Sequence, residues 1–148
     1  QTQDATILPV PASVPGSVQR ALRDAGLIPD PYHGLDAAAC EWVENRHWIY
    51  ETTLPGAWTD GHPHARLVCL GLDYAGEVRV NGVPVGDFAG TFVPHAFDLA
   101  PHLRPGDNRL QIVFTDIPRW LGQFGHTSRM TDWKTRFNYT WDWTSRLV

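Results

Sequence analysis

Glu77-Val78-Arg79-Val80-Asn81-Gly82-Val83-Pro84-Val85 is the stretch whose reading decides the fold. Polar and apolar residues alternate from Glu77 to Val80, and Val83 and Val85 resume the pattern beyond Asn81-Gly82. A period of two is the mark of a strand, whose successive side chains point to opposite faces. Asn-Gly between two such runs specifies a type I′ turn, because both central residues need φ > 0. The stretch therefore reads as a β-hairpin.

Working outward, the same signals recur on both sides. Toward the C-terminus, strands fit Thr91–Val93, His95–Phe97 and Arg109–Phe114, the last with Leu110, Ile112 and Phe114 facing inward. Pro105-Gly106-Asp107-Asn108 supplies the turn ahead of that last strand. Toward the N-terminus, Arg66–Leu72 is a near-continuous apolar run of the kind found at a sandwich centre, and Trp48–Leu54 is rich in aromatic and β-branched residues. Pro55 to His64 between them reads as a loop.

Before Trp48 the period is helical. Ser17 is a suitable N-cap, Val18, Ala21, Leu22 and Ala25 fall at helical spacing, and Gly26 is a natural terminator. Leu27 to Gly34 is a proline-stiffened turn, and a second short helix is expected over Ala37–Glu44 with Asp36 as its cap. Ala5 to Val10 has the composition of a short edge strand, where the nearby prolines are tolerated. Two short helices followed by many short strands indicate an all-β fold, an antiparallel β-sandwich with two short N-terminal helices, forming one domain over residues 1–148.

Bulk properties exclude several classes. The formal charge of −4 opposes a nucleic-acid footprint, which needs a basic face. No apolar run reaches the roughly 18 residues of a membrane span. The two cysteines, Cys40 and Cys69, sit in apolar surroundings and read as small core hydrophobes. His62-Pro63-His64 lacks a third ligand and the usual spacing of a metal site. Gly122-Gln123-Phe124-Gly125 lacks the strand-turn-helix frame and the lysine of a phosphate loop, so no cofactor is implied. Ser128, His126 and Asp132 come without a nucleophile elbow and make no hydrolase triad.

The chemistry-bearing stretch is Lys134 to Arg146, centred on Trp141-Asp142-Trp143. Broad aromatic faces beside a single carboxylate suit a polar ring-shaped ligand: the faces give apolar contact and the acid accepts hydrogen bonds. Tryptophans at i and i+2 equally describe same-face strand residues buried in a core. The start at Gln1 and the end within a patterned segment read as a fragment of something longer.

Several stretches in order resemble the N-terminal region of β-mannosidase-type enzymes of glycoside hydrolase family 2. They are Val14-Pro15-Gly16-Ser17-Val18, Ala25 to Tyr32, His47-Trp48-Ile49-Tyr50, Val78-Arg79-Val80-Asn81-Gly82, Phe97-Asp98-Leu99, Leu103 to Asn108 and Trp141-Asp142-Trp143. Thr140 and Thr144-Ser145 stand where that family commonly has Gly before and Gly-Pro after the Trp-Asp-Trp core. Related exo-β-glycosidases and endo-β-mannosidases therefore stay open.

The resemblance implies a galactose-binding-domain-like jelly roll that packs on immunoglobulin-like and (β/α)₈-barrel domains of a longer chain. It implies retaining hydrolysis by two barrel glutamates, about 5–5.5 Å apart, and no catalytic residue in this chain. Carried over by motif, Asp142 becomes the carboxylate that binds hydroxyls of a β-mannoside or related β-glycoside, with Trp141 and Trp143 beside it. An independent carbohydrate-binding module is the alternative.

Overall fold

The computed structural model describes residues 8–116. Helix α1 spans Val18–Asp24, α2 Ala37–Cys40 and α3 Gly56–Thr59. The strands are β1 Trp48–Leu54, β2 Arg66–Cys69, β3 Ala75–Val80, β4 Val83–Ala89, β5 His95–Asp98 and β6 Asn108–Asp116. Four strands form one antiparallel sheet in the order β1-β6-β3-β4, and β2 pairs with β5 in a second. The fold is the all-β antiparallel sandwich expected from the sequence.

The hairpin forms as its sequence requires. Asn81 has φ 53 and Gly82 φ 82, so both central residues of the β3–β4 turn are left-handed. Register then fixes which side chains meet. Val80 faces Leu110 and Val78 faces Ile112 across β3–β6, and Thr52 and Tyr50 of β1 lie opposite the same two β6 residues. Val78 and Val80 are fully buried, packed with Phe88, Leu110, Cys69, Phe97, Leu72 and Leu99 between the two sheets. Burying a valine of this kind stabilises by about 1.5–3 kcal/mol.

Gly76 belongs to the same inward row. The register of β3 against β6 shifts between Ala75 and Gly76. A Cβ at Gly76 would lie 1.9 Å from the Val113 carbonyl oxygen and 2.9 Å from Phe88 Cζ. Only glycine admits that approach.

A second cluster holds the helical segment. Leu22 of α1, Ile28, Cys40 and Val43 are buried together, with Val10, Val18, Trp42 and Trp48 against them. The Trp48 indole N–H donates to the Val43 carbonyl at 2.9 Å, joining this cluster to the start of β1. Ser17 caps α1 by accepting from the Arg20 N–H at 3.2 Å, and Gly26, at φ 72, lets the chain leave it.

Several local expectations are corrected. The second helix is α-helical only to Cys40 and continues as a 3₁₀ turn over Glu41–Asn45. Asp36 occupies its N-cap position without a side-chain cap bond, and its carboxylate lies 3.3 Å from His33 Nδ1 instead. Residues 8–10 of the expected edge strand are irregular, and 5–7 lie outside the described residues.

Thr91–Val93 is a turn, not a strand. Gly90, at φ 101, breaks the extended path, and the Thr91 hydroxyl donates to Asp73 Oδ1 at 2.7 Å. β2 stops at Cys69, opposite His95, because the next position would meet Pro94, which has no N–H to give. The loop after β1 also contains the helical turn α3, which a sequence punctuated by Pro55, Gly56, Gly61 and Pro63 does not announce.

Candidate functional site

Trp141, Asp142 and Trp143 lie outside the described residues, as do Ser128, His126, Asp132 and the segment from Gly122 to Gly125. The described fold ends at Asp116, before that segment in sequence. β6 is the last described strand before it in sequence. Asp116 at its end pairs with Ala75, and Asn108 at its start pairs with Leu54. The nine residues of β6 separate those two sheet ends by roughly 27 Å, at about 3.4 Å per residue.

The start of β6 is fixed by a buried polar knot. Asn108 is 1% exposed, and its amide uses its whole bonding capacity. Nδ2 donates to the carbonyls of Arg104 (2.9 Å) and Gly106 (2.8 Å), while Oδ1 accepts from the Arg104 N–H (2.8 Å) and from Asn81 Nδ2 (2.8 Å). Asn81 also donates to the His102 carbonyl at 3.1 Å and accepts from the Arg109 N–H at 3.1 Å. The hairpin asparagine thus serves twice, setting the turn and pinning the loop that feeds β6.

A pair of carboxylates holds the neighbouring loop. Asp107 Oδ1 accepts from the Gly56 N–H at 2.9 Å, and Asp60 accepts from the Gly106 N–H at 3.1 Å (Oδ1) and 3.2 Å (Oδ2). The backbones nearly touch, since a Cβ on Gly56 would lie 2.7 Å from Gly106 Cα. Charged acceptors on backbone N–H groups make stronger bonds than neutral ones. The motif Pro105-Gly106-Asp107-Asn108 was legible as a turn, but its partners Gly56 and Asp60 carry no signal that sequence reading could use.

The outer face of the four-stranded sheet carries charged pairs beside the apolar Ile49 and Val113. Glu51 accepts from Arg109 and from Gln111 Nε2, and Glu77 accepts from Arg79. The bond from Arg109 holds the Glu51 carboxyl below its ordinary range. Burial pushes both the Cys40 and Cys69 thiols up, so neither is poised as a thiolate nucleophile. Among the described residues no group of three or more His, Cys, Asp or Glu side chains stands close enough to hold a metal ion. Among them, too, no helix is long and apolar enough to cross a membrane.

The comparisons with known proteins agree with this scaffold. The β-mannosidase B of Thermothelomyces thermophilus is 27% identical over 158 residues, covering 98% of this chain and 18% of that protein. The β-mannosidase of Rattus norvegicus is 31% identical over 93 residues, covering 62% of this chain and 11% of that protein. The crystal structure of β-D-mannosidase from Dictyoglomus thermophilum superposes with a TM-score of 0.73 at 28% identity, covering 89% of this chain and 18% of that one. The chain thus spans less than a fifth of the length of each of these relatives. The family model for the glycosyl hydrolase 2 galactose-binding domain-like domain matches residues 1–148, and the chain belongs to that family.

Proposed function

We propose that this chain is the non-catalytic sugar-binding domain of a retaining β-mannosidase-like hydrolase, and that it supplies part of the pocket for the terminal sugar. Asp142 is the residue that accepts bonds from distal hydroxyls of that sugar, with Trp141 and Trp143 forming the wall beside it. The hydrolytic carboxylates belong to a catalytic barrel elsewhere in the longer polypeptide, on which this domain packs together with an immunoglobulin-like domain. The observation that carries the reading is the match over nearly the whole chain to a β-mannosidase, in fold and sequence together.

A carboxylate accepting two hydroxyls makes charge-assisted bonds. Such a pocket also rejects a ring lacking those hydroxyls, since the acid would be left desolvated and unpaired. Bonds to hydroxyls remote from the scissile linkage hold the reacting end in place and so act on the transition state.

The test is Asp142→Ala in the full-length enzyme. The expected result is a fall in kcat/KM on an aryl β-mannoside of about two orders of magnitude or more, equivalent to roughly 3 kcal/mol. Kinetics close to wild type would remove Asp142 from the sugar site.

A further inference from the structure

Asn81-Gly82 is the sole Asn-Gly step in the chain, whose other asparagines, Asn45, Asn108 and Asn138, precede larger residues. Asparagine is thermolabile, because the next backbone nitrogen can attack its side-chain carbonyl carbon. Glycine in that next position leaves the nitrogen unhindered, having no Cβ. The sequence thus places its most reactive asparagine at the β3–β4 turn.

The fold holds that side chain away from reaction. Both Nδ2 protons are used, in donation to the His102 carbonyl at 3.1 Å and to Asn108 Oδ1 at 2.8 Å. Oδ1 accepts from the Arg109 N–H at 3.1 Å, and the Asn81 N–H donates to the Arg109 carbonyl at 2.8 Å. The backbone opposes the reaction as well. Asn81 is left-handed, with φ 53, and the ψ of about +47° that accompanies this conformation turns the Gly82 nitrogen away from the Asn81 side chain. Ring closure needs the two on the same side. The turn must therefore unwind and the side chain leave its partners before Cγ can be attacked.

We propose that Asn81-Gly82 is a deamidation site gated by the Asn81–Asn108 clamp, silent in the folded domain and open to reaction when the clamp opens. In the reaction the Gly82 nitrogen bonds to Asn81 Cγ and gives up its proton, the Cγ–Nδ2 bond breaks, and ammonia leaves with that proton. Water then opens the cyclic imide at one or other carbonyl, giving aspartate or isoaspartate.

The clamp cannot re-form on either product. An aspartate puts an oxygen where Nδ2 stood, against the His102 carbonyl and Asn108 Oδ1, both acceptors. Asn108 cannot flip to present its amide, since its own Nδ2 donates to the Arg104 and Gly106 carbonyls in a site 1% exposed. Isoaspartate adds a backbone atom to a turn whose register pairs Val80 with Val83. The lesion marks a molecule that has opened and keeps it from closing again. None of this rests on the glycosidase reading.

The test is peptide mapping by mass spectrometry of the full-length protein held at mildly alkaline pH, natively and in guanidinium chloride, with Asn45 and Asn108 as internal references. In denaturant Asn81 should deamidate faster than either. Natively its rate should fall by about a hundredfold or more, on the scale of the three side-chain hydrogen bonds that must break first. Equal Asn81 rates in the two conditions, or a reference asparagine outpacing Asn81 in denaturant, would overturn the gated site. Thermal unfolding tests the product: Asn81→Asp should melt below Asn81→Gly, which loses the same bonds without adding a carboxylate. An Asn81→Asp variant as stable as Asn81→Gly would overturn the block on closing. The rate comparison is made on the wild-type protein, so it holds whether or not either variant folds.

Discussion

Asn81 Nδ2 donates to Asn108 Oδ1 across 2.8 Å, joining the β3–β4 turn to the loop that opens β6. The two residues are 27 apart in sequence, and each also bonds backbone groups of the loop between them or of β6 itself. Asn108→Ala would leave two carbonyls, one N–H and the Asn81 amide short of partners in a site that is 1% exposed. The expected loss is about 3–5 kcal/mol. Asn81→Gly keeps the left-handed turn but removes the side-chain bonds, for an expected loss of about 1–2 kcal/mol. In a double-mutant cycle by urea unfolding the two losses should fall short of additivity by about 1 kcal/mol. Strict additivity would mean that the contact carries no energy of its own.

How far the sequence can be read depends on whether a feature is local. The Asn81-Gly82 turn was legible because the backbone angles it needs are satisfied by those two residues alone. α1 was legible for the same reason, through Ser17 and Gly26. The short strand expected at Thr91–Val93 failed because Gly90 and a bond from Thr91 to Asp73, 18 residues away, override its β propensity. The clamps from Asp107 to Gly56 and from Asp60 to Gly106 span 51 and 46 residues, so no pattern in either segment announces the other. The candidate site follows a third rule. Asp142 emerges from the ordered resemblance of many short motifs, since the chemistry of Trp-Asp-Trp alone fits a packed strand equally well.

Gly76 gives a sharper test of packing. Its hypothetical Cβ falls 1.9 Å from a backbone carbonyl, that of Val113, which cannot rotate away as a side chain can. Gly76→Ala must therefore push β3 and β6 apart where their register already shifts. The expected cost is about 2–4 kcal/mol. Gly82→Ala offers a comparison, because there the Cβ meets nothing within 4 Å and only the φ of 82 resists it. Its cost should be nearer 1 kcal/mol. Equal midpoint shifts for the two variants in thermal unfolding would contradict the close approach at Gly76.

Glu51 sets the direction of one pH effect. Its carboxyl is held below the ordinary value of 4.5 chiefly by the hydrogen bond from Arg109, with Gln111 adding to it. A depressed folded-state pKa means that the unfolded chain binds the proton more readily. The associated stability is therefore complete above the unfolded value, near pH 4.5, and is lost as pH falls through the lower folded value. The pair lies on the exposed face of the sheet, the side chains of Arg109 and Glu51 being 58% and 46% exposed, so its whole contribution stays under about 1 kcal/mol after screening. Glu51→Gln should be slightly less stable than wild type at pH 7 in low salt. The difference should close below the folded carboxyl's titration, and should shrink in 0.5–1 M salt, where the Debye length falls toward about 3 Å. A difference that persists unchanged at pH 2.5 would assign the effect to strand packing and take the Glu51–Arg109 charge pair out of the account.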